Sequence, residues 1–214
     1  MPLPPLRPSG RDTYHHGDLR QALLEAGLAL ARNGGPDAVV LREATRRVGV
    51  APNAAYRHFA DRRALLDAVC SASQAAMAGA IEQELAALPD GLAPADAARA
   101  RLRAVGTGYL RFARAEPGLF RTGFSVPTDL EHAATPARRG PGGRTPFELL
   151  GDALDALAAA GALAPERRPN AEFLAWSAVH GLAMLLIDGP LRALDPAQAE
   201  GVGRRLLAMV EQGL

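Results

Sequence analysis

The chain has 214 residues, a formal net charge of +1, one cysteine and a hydrophobic content of 48%. This length and composition suit one large or two modest domains with a packed core. The single cysteine, Cys70, excludes an intrachain disulfide, as is typical of the reducing cytosol. Residues 1–13 lack the apolar stretch of a signal peptide, and no apolar run reaches the ~20 residues that span a bilayer. We therefore predict a cytoplasmic protein with no membrane contact.

The charge is unevenly distributed. Residues 1–63 carry 10 Arg and 6 acidic residues, whereas residues 64–214 carry 14 Arg and 17 acidic residues. A basic N-terminal segment followed by a mildly acidic segment is consistent with nucleic-acid contact at the N-terminal end. Chance explains so small an excess equally well, so the asymmetry only supports other signals.

Residues 1–13 are rich in proline, and we predict that they form a disordered arm. Residues 18–33 then place apolar side chains at the spacing of one helix face. These are Leu19, Ala22, Leu23, Ala26 and Leu30. The following Gly and Pro residues end that helix. His15 and His16 precede it, but neighbours in sequence do not point the same way on a helix, so no metal site is predicted.

Residues 41–59 predict two short helices joined by a tight turn. Leu41 and Ala44 begin one helix face, and Gly49 stands where a left-handed residue ends a helix without a Cβ clash. Pro52 suits the first turn of the next helix. This arrangement is that of a helix-turn-helix, whose second helix enters the major groove of DNA.

The remaining chain predicts further helices at residues 61–87, 95–114 and 119–124, and a mobile loop or functional lid at residues 125–145. Helical periodicity returns at Phe147 and ends at Gly161. Residues 171–187 are apolar around nearly the whole helix, which predicts burial against their own domain and against a second subunit. Residues 196–212 form the last predicted helix. The predicted fold is therefore all-α.

The helix-turn-helix segment resembles that of the TetR family of transcriptional regulators. The matching residues are Val48, Gly49 and Val50 in the turn and Tyr56, His58 and Phe59 in the second, recognition helix. The departures are Val40 in place of a capping Ser or Thr, Thr45 in place of Ala, and Ala51 in place of Ser. The resemblance implies a three-helix DNA-binding domain at residues 14–63 and a helical ligand-binding and dimerisation domain at residues 64–214.

A second segment resembles the TetR subgroup whose C-terminal domain is named for a Trp-His-Gly motif. The motif residues are Trp176, His180 and Gly181, and residues 112–121 precede them in the same pattern. The resemblance implies a repressor that binds a palindromic operator as a homodimer and is released by a small molecule.

DNA recognition is expected at the start of the second helix, where side chains reach base edges first. Tyr56 and His58 are expected to bond phosphates, and Arg62 is expected to clamp a further phosphate. The alternative is that Tyr56 and His58 only support the turn. The predicted DNA-binding residues are Tyr14, His15, Arg42, Pro52, Asn53, Ala54, Tyr56, Arg57, His58 and Arg62.

Aromatic residues are few, and most of them fall in three segments that surround one cavity in the resembled fold. The predicted ligand-binding residues are Met77, Tyr109, Phe112, Phe120, Phe124, Trp176, His180 and Met184. Such a cavity suits a flat or apolar effector with a hydrogen-bonding group rather than a sugar or nucleotide. Core packing is the alternative explanation for this pattern.

The last two helices are where the resembled family forms its dimer, as a four-helix bundle. The predicted interface residues are Leu182, Leu186, Val202, Leu206, Met209 and Val210. No catalytic residue, cofactor or metal is predicted, because the sequence has no Gly-rich phosphate loop, nucleophile elbow or His-Glu pair at helical spacing. The departures in the motif leave one alternative open, a ligand- or protein-binding helical module that has lost DNA binding.

Overall fold

The computed structural model describes residues 16–127 and 135–214. The predicted disordered arm, Tyr14 and His15 lie outside the described residues, as does part of the predicted loop at 125–145. Within the described ranges the fold is all-helical, with no strand. The α-helices are α1 (His16–Gly34), α2 (Leu41–Val48), α3 (Pro52–Ala55), α4 (Arg62–Ala86), α5 (Pro94–Ala115), α6 (Pro117–Gly123), α7 (Pro146–Ala159), α8 (Ala171–Ile187) and α9 (Pro196–Gly213).

Proline sets many of the helix starts. It is the first residue of α3, α5, α6, α7 and α9, where its fixed φ is already helical and its missing N–H costs no hydrogen bond. Side chains cap three helix starts, two of which also carry proline. Asp61 accepts a hydrogen bond from Ala64 at α4, and Thr145 and Asp195 form capping boxes at α7 and α9. The predicted second helix of the motif is shorter than expected, because α3 ends at Ala55 and a turn follows.

The first three helices pack around a small apolar core. Leu23 of α1, Ala44 of α2 and Ala55 of α3 have no exposed surface, and Phe59 closes the unit. Gly49 ends α2 with φ 76°, and its N–H donates to the Thr45 carbonyl at 3.0 Å. The left-handed conformation expected at this position is therefore present.

Helix α4 is the central element of the fold. It packs against α1, α5, α6 and α7. Among the described helices α4 is long and apolar enough to cross a membrane by length and composition, which the sequence analysis did not expect. Its buried residues Leu65, Val69, Met77 and Ile81 instead contact the neighbouring helices. Helix α5 approaches α4 closely, because Gly108 leaves room for the backbone of Ile81.

Helix α6 lies between the N-terminal helices and the C-terminal part of the chain. It contacts α1, the 3₁₀ turn Pro36–Ala38, α4 and α5. At its start, a Cβ on Gly118 would collide with the carbonyl oxygens of Ala31 and Arg32 in α1. Glu116, just before α6, accepts a 2.8 Å hydrogen bond from Arg32. Helix α6 is therefore seated directly on the C-terminal end of α1.

Candidate functional site

The second helix of the motif presents a polar surface outside the core. Tyr56 is 56% exposed, and Asn53 and Arg57 are also exposed. Of the other predicted DNA-binding residues, Arg42 and Pro52 are exposed. Ala54 and His58 are half-buried, and His58 lies just after α3. These side chains share one outer surface because Ala55 and Phe59 point into the core. The arrangement leaves polar groups free to reach the edges of bases.

Two of the residues that depart from the family pattern have a local explanation. Thr45 is 2% exposed, and its hydroxyl donates to the Arg42 carbonyl at 2.7 Å, so the extra polar group is satisfied within α2. Val40 precedes α2 with no side-chain cap, as expected from the sequence. The motif thus keeps its geometry without the usual residues.

Arg62 has contacts that sequence reasoning missed. Its Nε donates to the Val39 carbonyl at 2.8 Å, and its Nη2 donates to the Pro36 carbonyl at 2.9 Å. These hydrogen bonds tie the start of α4 to the turn between α1 and α2. Arg62 therefore helps to hold the helix-turn-helix unit together, and its phosphate contact remains a prediction.

A cavity of about 260 Å³ lies among α4, α5, α7, α8 and α9. Four of the eight predicted ligand-binding residues line it, namely Met77, Tyr109, Phe124 and Trp176. Most of the other lining residues are apolar and include Ile81, Leu102, Val105, Phe147, Leu150, Val179 and Leu207. Helical periodicity alone did not identify these aliphatic residues, because every core helix carries them.

The other four predicted ligand-binding residues do not line this cavity. Phe120 is 1% exposed, and its ring packs on Tyr109, Phe124 and His180 with centroids 5.2–5.5 Å apart. Phe112 is buried in the core, whereas Met184 lies on the exposed face of α8. Phe120 and His180 therefore form a layer behind the wall.

A chain of hydrogen bonds fixes the wall at Tyr109. Trp176 Nε1 donates to the Tyr109 hydroxyl at 3.2 Å, and the same hydroxyl lies 2.8 Å from His180 Nδ1. Because the indole can only donate, the hydroxyl accepts from Trp176 and gives its own proton to His180. His180 is then neutral with its proton on Nε2. Burial lowers the pKa of His180 and raises the pKa of Tyr109, and both shifts favour these neutral forms.

The outer face of α8 and α9 is apolar and exposed. Its large side chains are Phe173, Leu174, Met184, Leu185, Val202 and Met209. Of the predicted interface residues, Val202 and Met209 lie on this face, and Leu206 is half-buried. Leu182, Leu186 and Val210 instead lie in the core of the protomer, each less than 10% exposed. The outer face is therefore formed by neighbours of the buried residues in sequence, such as Leu185 beside Leu186 and Met209 beside Val210.

Comparison with known protein families identifies both halves of this architecture. The family model described as "Bacterial regulatory proteins, tetR family" matches residues 23–69. The model described as "Tetracyclin repressor-like, C-terminal domain" matches residues 102–210, which is half of the chain. The chain belongs to the TetR family. No match was found among the curated proteins.

Solved structures share the fold of this TetR-family chain. A protein of unknown function from Rhodococcus sp. RHA1 is 26% identical, with a TM-score of 0.74, and the match covers 95% of this chain and 99% of that one. A TetR family regulator from Shewanella sp. PV-4 is 19% identical, with a TM-score of 0.57 and coverage of 88% and 95%. A TetR variant from Acinetobacter baumannii in complex with minocycline is 18% identical, with a TM-score of 0.55 and coverage of 90% and 94%.

The predicted DNA-binding surface and the cavity lie in different matched segments of the chain. The exposed surface of α3 lies within the first matched segment, and Tyr109, Phe124 and Trp176 lie within the second. The polar cavity residues Gln74, Arg103, Arg138 and Thr145 were not predicted. Arg138 and Thr145 belong to a segment without helical periodicity, so no sequence signal marked them as wall residues. Residues 16–127 and 135–214 contain no group of three or more potential metal ligands.

Proposed function

We propose that this TetR-family regulator is a cytoplasmic repressor that binds a palindromic operator as a homodimer and releases it when a small apolar effector binds. The observation that carries the proposal is the exposed surface of Asn53, Tyr56 and Arg57 on the helix-turn-helix. We assign the chain to the Trp-His-Gly subgroup on the motif residues Trp176, His180 and Gly181. We propose no catalytic activity.

Dimerisation is proposed through the outer face of α8 and α9. One helix-turn-helix makes few phosphate contacts, whereas two of them one helical turn apart, roughly 34–36 Å, read a palindrome with summed affinity. The exposed Leu174, Leu185 and Met209 supply an apolar surface that a second copy would cover. Gly181 supports this proposal, because its Cα faces open space and allows a partner helix to approach closely.

Release is proposed to run through α6. Gly123, the last residue of α6, and Phe124 after it line the cavity, while Gly118 at the other end touches α1. An effector that fits the cavity better after α6 has moved would shift α1 and change the separation of the two recognition helices. The effector can shift this equilibrium only by its difference in affinity between the two states.

The first experiment is a gel shift with the promoter region of the protein's own gene. We expect wild type to retard this fragment in preference to an unrelated fragment of the same length. Asn53→Ala should reduce that preference, because an asparagine amide reads adenine. Surface variant Arg192→Ala, on the 3₁₀ turn Pro190–Ala193, serves as the matched control and should bind like wild type. Equal binding to both fragments by wild type would favour the ligand- or protein-binding module without DNA recognition.

A further inference from the structure

Gln74 is the polar residue that α4 contributes to the cavity wall. Its Nε2 donates to the Gly123 carbonyl at 2.7 Å. Because a carbonyl can only accept, this hydrogen bond fixes which end of the amide faces Gly123. Within residues 16–127 and 135–214 the amide makes no other hydrogen bond. Its Oε1 and the second N–H of Nε2 are therefore available to a molecule in the cavity.

Three other polar side chains of the wall already have partners. Arg103 Nη1 lies 2.6 Å from the Glu211 carboxylate. The Thr145 hydroxyl accepts from the Glu148 N–H at 3.2 Å in the capping box of α7. Arg138 holds an interaction of its own. We assign none of these three a contact with the ligand.

Tyr109 also carries a polar group on the wall, but it offers less than Gln74. Its hydroxyl accepts from Trp176 and donates its proton to His180. One lone pair remains, and it can only accept. The Gln74 amide keeps both a donor and an acceptor, so a hydroxyl or amide group of a ligand can form two hydrogen bonds with it.

The wall is apolar beyond Gln74. Met77 and Ile81 follow at i+3 and i+7 on the same face of α4, and both line the cavity. The rise of an α-helix places Ile81 about 10 Å from Gln74 along the helix axis. Phe147 of α7 and Leu207 of α9 add further apolar surface. The α4 side of the cavity thus has a polar end at Gln74 and an apolar end at Ile81.

We propose that the cavity binds a small uncharged molecule through one hydroxyl or amide group. The Gln74 amide holds that group, and the apolar body of the ligand extends along Met77 and Ile81. This proposal rests on the proposed effector-binding function and names its ligand class.

Groups that only accept hydrogen bonds would fit Gln74 poorly. An ether, a ketone or an ionised carboxylate could use the N–H of Nε2 but would leave Oε1 without a donor. A buried acceptor without a partner is costly. A site that bonds a hydroxyl or N–H therefore discriminates against analogues that lack it.

The size of the cavity limits the ligand further. Its volume of about 260 Å³ lies just below the range of ~300–1,000 Å³ that is usual for small-molecule sites. One ring or one short alkyl chain fills such a space. The predominantly apolar wall excludes sugars and nucleotides, whose hydroxyls and phosphates would lose water without partners.

The test uses the tryptophan already on the wall. Trp176 is the only tryptophan in the sequence, so its fluorescence reports binding in the full-length protein without a label. The probes are two alcohols, octanol and hydrocinnamyl alcohol, and their isomers heptyl methyl ether and phenethyl methyl ether. Each ether keeps the atoms of its alcohol and loses the donor. We expect wild type to bind each alcohol at least about tenfold more tightly than its ether.

Gln74→Met removes the amide and keeps the length of the side chain. The Gly123 carbonyl still accepts from the Cys70 thiol at 3.1 Å, so it is not left without a partner. We expect this variant to bind alcohol and ether with equal affinity. Arg103→Met is the matched control, because it makes the same replacement at another polar position of the wall and should keep the preference for alcohols.

Gln74→Asn carries the test if Gln74→Met does not fold. Its amide is one carbon shorter and cannot reach both the Gly123 carbonyl and the ligand, so we expect a smaller preference for alcohols than in wild type. A preference that is unchanged in Gln74→Asn would overturn the proposal.

Four further results contradict the proposal. They are equal binding of alcohol and ether by wild type, a preference that survives in Gln74→Met, a preference that Arg103→Met also loses, and no fluorescence response to any of the four probes. The regulator function is read separately, from the gel shift of wild type with no probe present. A failed ligand assignment with intact operator binding is therefore distinguishable from failure of the proposed function.

Discussion

Among single residues, Tyr109 joins two elements that the sequence separates widely. Its hydroxyl links Trp176 and His180 of α8 to α5, and its ring stands at 88° to that of Phe120. Removing any one of these polar partners leaves another buried group without its bond, which costs ~1–3 kcal/mol. These hydrogen bonds therefore fix the orientation of the Tyr109, Trp176 and His180 side chains relative to one another.

The protonation of His180 gives a first prediction. Burial places its pKa below the ordinary value in the folded protein, so the unfolded chain takes up the proton first as the pH falls. The stability that neutral, buried His180 contributes is then fully present above about pH 6.5. This contribution is lost as the pH falls below that value. We expect the Tm of wild type to fall more steeply from about pH 7 to about pH 5 than that of His180→Asn, whose amide oxygen still accepts from Tyr109. Calorimetric scans with parallel slopes for the two proteins would contradict this assignment.

Arg62 gives a second prediction. Arg62→Ala loses two hydrogen bonds to the carbonyls of Pro36 and Val39, so we expect a loss of about 1–2 kcal/mol in the free energy of unfolding. If Arg62 also meets a phosphate, binding should weaken on all DNA sequences and the salt slope should fall by about one phosphate. Exposed Arg57→Ala, as control, should change DNA binding and leave the Tm near that of wild type. A lower Tm with an unchanged salt slope would make Arg62 purely structural.

Among the elements, α8 has bounds that the sequence predicts and side-chain directions that it does not predict. Its bounds agree with the predicted 171–187, because Asn170 and Asp188 flank a continuous apolar run. The direction of its side chains was not predictable, because an amphipathic pattern is absent when every face is apolar. Met184, predicted in the cavity, lies on the outer face, and Leu186, predicted in the dimer seam, lies in the core.

The same reasoning explains the rest of the cavity. Tyr109, Phe124 and Trp176 were predictable because aromatic residues are rare in this chain and fall at helical spacing. Arg138 was not, because the Pro136–Arg138 turn has no periodicity and a lone arginine in a Gly- and Pro-rich stretch resembles a solvated loop residue. Its burial depends on where the turn packs on α4, which is a tertiary property.

The outer face of α8 and α9 gives a third prediction. Leu185 is 44% exposed in the protomer, so Leu185→Glu should disrupt the dimer while the circular-dichroism spectrum stays helical. Leu182 lies one turn away on the core side, and Leu182→Glu should lower stability by several kcal/mol because it buries an unpaired charge. Light scattering coupled to size exclusion separates the two outcomes. A Leu185→Glu protein that remains dimeric would move the interface elsewhere.

In the whole molecule, α6 connects the two sites. Its C-terminal end borders the cavity through Gly123, and its N-terminal end is held on α1 by the Arg32–Glu116 ion pair and the close approach of Gly118. The exposed ion pair contributes little by itself. The contact at Gly118 is stricter, because backbone atoms of α1 cannot rotate out of the way as side chains do.

This contact gives the last prediction. In Gly118→Ala the added methyl group would collide with the Ala31 and Arg32 carbonyls, so α6 and α1 must separate. We expect a loss of about 1–3 kcal/mol in stability and weaker operator binding without effector. Gly151→Ala in α7 is the control, since its methyl group meets only the Glu172 carboxylate at 3.5 Å, an ordinary contact. Operator affinity that is equal in the two variants and in wild type would show that the position of α6 does not set the spacing of the recognition helices.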